Sequence, residues 1–423
     1  MPERRLRFCM VTTFYPPYHF GGDAVFVHRL AQALAEEGHS VDVVHSKDAY
    51  RLRAGGEPAA AFDDHARVTR YALESRHPRL AASLTHQLGR PAAYERRLRA
   101  ILERDYDVIH YHNVSLVGGP DVLGLGRAVK LYTAHEYWLV CATHVLFSFD
   151  REACSSRQCL ACVLSHRRMP QPWRYADRLE RALENVDRLL MPSRFALERH
   201  RADGIRRPMV HLPHFVPGDD ASPRERRGRG RPFFLYVGRL ERLKGVQDLV
   251  RLFEDVTDAD LLIAGEGSLR STLEEMARSL PHVKFLGGVH PARLGDLYRR
   301  AVALLVPSLC YETFGLTAAE AMSHGTPVIV RRLGALAEIV EESGGGFAFD
   351  TLAECRHAMD RLRREPELRS SLGRSGRATA AARWSREAHL RAYFDLLRPL
   401  VGDGRALEGA DPPPADLVVP VSA

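Results

Sequence analysis

Residues 233–256 read FFLYVGRLERLKGVQDLVRLFEDV. A short apolar, aromatic-rich run ends at Gly238, a basic loop follows, and from Val246 onward apolar residues recur at helical spacing. The stretch is a buried strand, a glycine turn and an amphipathic helix. The same unit repeats on both sides of it. Downstream, DLLIAG, VKFLGG, ALLVPS and PVIV read as strands, separated by SLRSTLEEMARSL, ARLGDLYRRA and TAAEAMSHG as helices. Upstream, LRFCMVTTF, VDVVHS, YDVIHYHN and VKLYTAHE alternate with helical patterns such as AVFVHRLAQALAEEGH. Near-continuous apolar strands alternating with helices specify parallel, doubly wound sheets covered on both faces. The expected fold class is therefore α/β, with two Rossmann-like domains facing each other across a cleft.

The 423 residues are enough for two such domains, each of about two hundred residues with its own core. Residues 216–232, VPGDDASPRERRGRGRP, are dense in Pro, Gly and charge and read as the linker. This gives a first domain over 1–215, a second domain over 233–400 whose last helices can return to the first, and a loose tail over 401–423. The stretch 175–201, YADRLERALENVDRLLMPSRFALERHR, reads as helical.

Hydrophobic residues at 45% and charged residues at 27% fit a globular chain, and no run of eighteen apolar residues offers a bilayer span. The basic start is followed by an apolar run broken by Thr12, Thr13 and Pro16, without a small-residue cleavage site, so it reads as a first strand and the chain as cytoplasmic. The net charge of +7 suits anionic partners such as nucleotide, nucleic acid or anionic lipid, but equally a general preference for Arg, since only Lys47, Lys130, Lys244 and Lys284 are lysines.

In a doubly wound fold ligands bind beyond the carboxyl ends of the strands. FGGD (20–23) follows the first strand, where Gly21 and Gly22 let backbone amides approach a phosphate at a helix N-terminus. The GxGxxG pattern of nicotinamide enzymes is missing. Arg239 and Lys244 share the loop after FFLYV, where a guanidinium fork and an ammonium can neutralise a diphosphate; a solvated basic loop is the plainer alternative. In CYETFGLTAAEAMSHG (310–325) a helix is expected to begin near Gly315 or Leu316, with the amides of Thr313 to Leu316 forming an anion site behind Glu312. Eight helical residues span about 12 Å. Glu312 and Glu320 therefore suit successive parts of an extended ligand, Glu320 a ribose diol and Glu312 a sugar beyond the phosphates. Asp258-Ala259-Asp260, a D-x-D, reads as a turn before a strand.

Taken in order, the GG loop, His135 in TAHE, GRLERLKG, AGEGSLR, FLGGV and E-x7-E followed by GTPVI resemble a family 4 glycosyltransferase of GT-B fold over residues 5–395. The resemblance implies transfer of a sugar from a UDP- or GDP-sugar donor, with retention of configuration, to a glycan, lipid-linked or other acceptor. It implies that Arg239 and Lys244 hold the diphosphate without a divalent metal, and that Glu320 takes the ribose. Glu312, aided by Phe314 and Gly315, would take the donor sugar. Gly22 would approach from the opposite domain, His135 would lie near the reacting sugar, and Leu286 and Val289 would contact the base. Two rivals remain: a basic metal-binding nucleic-acid protein, and a GT-B sugar-nucleotide epimerase.

CATHVLFSFDREACSSRQCLACVL (141–164) forms an insert of another kind. Cys154-x4-Cys159-x2-Cys162, with Cys141 upstream, has a spacing suited to a closed structural Zn site and similar to an iron–sulfur loop. The expectation is a metal centre bracing the insert. A second insert, 74–104, is basic and partly amphipathic, which suits either a solvated helix face or contact with an anionic membrane bearing the acceptor.

Overall fold

The computed structural model describes residues 5–54, 56–58, 62–155, 157–218 and 230–402. All but the first two residues of the expected 401–423 tail, and most of the expected 216–232 linker, thus lie outside the described residues. The first sheet is built from β1 (Arg7–Val11), β2 (Ser40–Ser46), β3 (Val68–Leu73), β4 (Val108–Tyr111), β5 (Val129–Thr133), β8 (Arg188–Met191) and β9 (Met209–His211). Between β5 and β8 the short β6 (Phe147–Ser148) and β7 (Glu152–Ala153) pair antiparallel within the cysteine insert. The second sheet contains β10 (Phe233–Val237), β11 (Asp260–Ala264), β12 (Val283–Gly287), β13 (Leu304–Val306), β14 (Val328–Arg331) and β15 (Gly346–Phe349).

The strand orders are β3-β2-β1-β4-β5-β8-β9 and β12-β11-β10-β13-β14-β15, and the pairings within both sheets are parallel. Each order reverses direction once, between β1 and β4 and between β10 and β13. The loops leaving those strands are the ones that open a crevice. These are the loops carrying Gly21-Gly22 after β1, Arg239 to Lys244 after β10, and Glu312 to Leu316 after β13.

Strand burial explains why the apolar runs are nearly unbroken. Along β10, Phe234 and Tyr236 enter one core while Phe233 and Leu235 enter the core on the opposite face. Along β1, Cys9 and Val11 divide from Phe8 and Met10 in the same way. A strand with helices on both faces has no side left for polar residues.

The lobes are held together at several points. Glu338, on the helix Ala335–Ser343 of the second lobe, accepts the main-chain N–H groups of Arg194 and Phe195 at 2.8 Å each, capping the first-lobe helix Arg194–Ala202. The last helix, Arg386–Val401, leaves the second lobe and buries Leu390, Tyr393 and Leu397 against Phe8, Met10 and Phe26 of the first.

Three strands depart from the sequence reading. β8 lies inside the stretch expected to be helical, where RLLM is a short apolar run between the helices Arg178–Leu183 and Arg194–Ala202. Periodicity cannot assign four residues buried on both faces; pairing with β5 and β9 does so. β3 and β15 are sheet edges with partly polar or glycine-containing sequences that carry little strand signal. Asp260, expected in a turn, is instead the first residue of β11 and is buried against Lys284 and Arg231.

Candidate active site

The loop after β10 is shaped by glycine. Gly245 has φ +72°, and a Cβ there would stand 2.1 Å from the main-chain oxygen of Pro307 in the loop after β13. The two loops also join through the Leu309 N–H donating to the Leu243 carbonyl at 2.8 Å. This contact sets where Lys244 points. Gly245→Ala is expected to cost about 2 kcal/mol or more, from left-handed strain plus a backbone clash, and to lower Tm by roughly 4 °C or more. An unchanged melting curve would show that the loops separate freely.

Lys244 Nζ donates to Glu312 Oε1 at 2.6 Å, and the Ser308 hydroxyl donates to the same oxygen at 2.7 Å. Burial alone would raise the Glu312 carboxyl, but the Lys244 ammonium and the Ser308 hydroxyl outweigh it and hold it below the usual carboxylate range. Burial likewise opposes the Lys244 charge, and Glu312 overcomes it, so the lysine is raised. The pair is a fixed ammonium and carboxylate at the crevice.

The helix after this loop begins at Leu316, with Gly315 at φ 104° as its N-cap. The left-handed geometry needs glycine and turns the chain into the helix Leu316–Ser323. Glu320 lies one turn in. Its carboxylate meets Arg29 of the first-lobe helix Gly22–Glu36 at 2.8 Å, and the Tyr298 hydroxyl donates to it at 3.3 Å. A Cβ on Gly22 would come within 2.9 Å of Leu316 Cδ1, so glycine lets the two helix N-termini approach. Arg239 pairs with Glu241 at 2.9 Å.

His135 follows β5 and touches the same loop through its backbone: the Thr313 hydroxyl donates to the His135 carbonyl at 2.9 Å, and the Tyr137 hydroxyl to the Glu312 carbonyl at 3.1 Å. Its ring differs from expectation. Nε2 is 2.9 Å from His112 Nδ1, and Nδ1 is 3.1 Å from His214 Nε2, so both nitrogens are engaged within the protein rather than turned to a sugar. His112 Nε2 is buried without a partner. An orphaned acceptor is tolerated better than an orphaned N–H. Hence His112 carries its proton on Nδ1 and the chain runs one way, His112 to His135 to His214. Burial holds all three rings neutral, pushing His135 down to about 3.

Gly21, Gly22, Arg239, Lys244, Glu312, Thr313, Phe314, Gly315, Leu316, Glu320 and His135 therefore converge on one crevice. Leu286 is the penultimate residue of β12 and Val289 lies two residues beyond that strand, which pairs with β11 and whose Gly287 carbonyl accepts the Gly265 N–H at 2.8 Å. Arg29, Tyr298, Ser308, His112 and His214 escape the sequence reading. Each is an ordinary helix or strand residue whose role depends on a partner on another element. Asp23 and Glu136 also escape the sequence reading; burial and the Glu136 charge raise Asp23, while the Arg239 charge opposes them.

The cysteine expectation requires correction. Cys141, Cys154, Cys159 and Cys162 do line one small pocket, and burial followed by the other three thiols raises Cys159. Among the described residues, however, no three His, Cys, Asp or Glu side chains converge as a metal-holding group. Cys141 Sγ pairs with the Thr143 hydroxyl at 3.2 Å, and Cys162 Sγ accepts the Phe149 N–H at 3.4 Å. Neither the Zn nor the iron–sulfur reading is supported.

The sequence model of the family described as Glycosyltransferase Family 4 matches residues 20–219, and that described as Glycosyl transferases group 1 matches residues 219–379. The chain belongs to the glycosyltransferases. It is 27% identical over 358 residues to an uncharacterized glycosyltransferase of Methanocaldococcus jannaschii, covering 81% of this chain and 84% of that one. It is 29% identical over 411 residues to the D-inositol 3-phosphate glycosyltransferase of Acidothermus cellulolyticus, covering 89% and 86%. Among solved structures, sucrose-phosphate synthase from Thermosynechococcus elongatus superposes with a TM-score of 0.68 at 22% identity, covering 94% of this glycosyltransferase and 99% of that chain. Anabaena HepE in complex with UDP and glucose superposes at 0.64 with 15% identity, covering 93% and 100%. These likenesses establish the GT-B fold: two parallel-sheet, Rossmann-like domains.

Proposed function

We propose that this glycosyltransferase moves a sugar from a nucleoside-diphosphate sugar to a glycan, lipid-linked or other acceptor hydroxyl with retention of configuration, and that the crevice between the sheets is the donor site. One observation carries the reading. A lysine–carboxylate pair, a glycine-capped helix N-terminus and a second carboxylate lie in sequence along one crevice at both switch points.

In this reading Lys244 and Arg239 face the diphosphate, with the main-chain amides from Thr313 to Leu316 beside it. The ribose diol replaces Arg29 as the partner of Glu320, and donor sugar hydroxyls bond Glu312. The acceptor oxygen forms its bond to the anomeric carbon as the bond to the diphosphate oxygen breaks on the same face, and the acceptor proton passes to the departing phosphate. The charge that develops there is met by preorganised cations and amides, a term that often dominates catalysis. His135 then acts as an anchor: its carbonyl holds Thr313 while His112 and His214 hold its ring. A relative of this fold bound to UDP and glucose supports a uridine donor, and GDP is the competing choice.

A thermal-shift series with UDP, GDP and ADP tests the donor site. The cognate diphosphate is expected to raise Tm, and Glu320→Ala and Lys244→Ala each to weaken that response. Full responses in both variants would remove the assignment. An epimerase would convert the donor with no acceptor present, which product analysis reads directly.

A further inference from the structure

Large exposed hydrophobic residues concentrate in two segments, with Leu52 and Leu286 the exceptions among the described residues. Of those among the described residues, Leu80, Leu84 and Leu88 form a stripe along the helix Pro78–Leu88, and Leu160, Leu164, Met169 and Tyr175 lie in the segment that follows the cysteine pocket. Leu80 is 56% exposed, Leu164 55% and Met169 70%. The two segments adjoin. Gln87 Nε2 donates to the Met169 carbonyl at 3.4 Å, and Trp173 Nε1 to the His86 carbonyl at 3.0 Å. Within the helix Cys159–Ser165, Val163 is buried while Leu160 and Leu164 point outward.

Charge on this face has one sign. Residues 75–94 and 155–176 contain neither Asp nor Glu. Arg76, Arg79, Arg90, Arg167 and Arg168 are exposed, and among the described residues none of them forms an ion pair. Elsewhere arginines are commonly matched, as Arg270 is with Glu266 and Glu274 and Arg361 with Glu365. Unmatched arginines around projecting leucines favour an anionic surface that also accepts hydrocarbon. A second copy of the chain docking symmetrically would set these like charges against each other. The face also adjoins the crevice: Arg168 lies within electrostatic reach of His86 and of Arg53, and Arg53 of Arg239.

The geometry points to an anionic phospholipid bilayer as the partner of this face, with the leucines of the helix Pro78–Leu88 and of the 160–175 segment entering the headgroup region and the free arginines binding lipid phosphates. No helix of the described residues is long and apolar enough to cross a membrane, so the contact is peripheral. It delivers the crevice mouth to the bilayer surface, where a lipid-linked acceptor would lie. The inference extends the acceptor side of the proposed function and does not need the donor assignment.

Flotation of the full chain with vesicles tests it. Phosphatidylcholine alone is compared with phosphatidylcholine containing about one third phosphatidylglycerol, at low salt and at about 0.5 M salt. Binding to the anionic vesicles at low salt is expected to exceed binding to neutral ones at least tenfold and to fall at high salt. Leu84→Asp with Leu88→Asp, and separately Arg79→Glu with Arg90→Glu, are each expected to lower it at least tenfold while Tm and the nucleotide response stay as in the parent. Two pairs are used so that misfolding of one leaves the other decisive. Equal binding to neutral vesicles, no binding to either, or unchanged binding in the folded variants would overturn the proposal. So would a concentration-dependent dimer that the leucine pair abolishes, since the face would then be a self-interface. A lost nucleotide response with retained flotation would count against the donor site alone.

Discussion

Lys244→Ala is expected to lower kcat/KM with the cognate nucleotide-sugar at least a hundredfold while the protein remains folded. Removing one preorganised charge from a developing anion costs about 3 kcal/mol in comparable sites. Here a second loss adds to it. Lys244 is what keeps Glu312 ionised against burial, at 2.6 Å. Without the ammonium, that carboxyl faces the sugar with its own charge unbalanced and its pKa rising. Lys244→Arg should restore little, because a planar guanidinium does not fit a contact made by a compact ammonium between Glu312 and the Ser308 loop. The double variant Lys244→Ala, Glu312→Ala should lose less than the sum of the single losses, since the two residues act as one unit. Steady-state kinetics on the parent, Lys244→Ala, Lys244→Arg, Glu312→Ala and the double variant would read all of this; a loss under threefold in Lys244→Ala would dismiss the lysine from the chemistry.

Acid should destabilise the protein early and steeply. His110, His112, His135, His214 and His389 lie together beneath the crevice, linked by His110 to Tyr393 at 3.0 Å and by the His389 Nδ1–H to the Pro213 carbonyl at 2.7 Å. Burial pushes His135 down to about 3 and His389 to about 4, and lowers the other three strongly. These groups are depressed in the folded chain and ordinary, near 6.5, in the unfolded one. The unfolded state therefore takes up protons first, and stability present above about pH 6.5 is lost as pH falls from there toward 4. Each unit of depression corresponds to about 1.4 kcal/mol, so two or three such rings rival the 5–15 kcal/mol that holds an ordinary domain together. Tm is expected to fall by more than about 10 °C between pH 7 and pH 5. His112→Asn, with one fewer buried imidazole, should show a shallower slope. A flat profile over that range would mean the rings are solvated or already charged.

That histidine chain also shows where sequence reading stops. His135 stands in a recognisable TAHE segment, yet nothing local says that its nitrogens are taken by His112 and His214, which lie 23 and 79 residues away along the chain. The cysteines show the reverse error. Their spacing is a local signal that predicts a metal-ligand set, but spacing does not fix sulfur directions, and among the described residues the folded insert brings no such set together. RLLM at 188–191 is too short for its period to be read, and only the strands on either side define it.

By itself the sequence determined the two α/β lobes, the loops that would carry ligand, and the glycines that open them, because strand and helix periods, turn residues and caps are written within a few residues of one another. Only the tertiary structure decided which groups meet across the crevice: Arg29 with Glu320, Thr313 with the His135 carbonyl, Gly22 against Leu316, and the last helix laid over the first sheet. Those meetings join residues far apart in the chain, and their free energy comes from burial and charge shared between lobes, which no local pattern records.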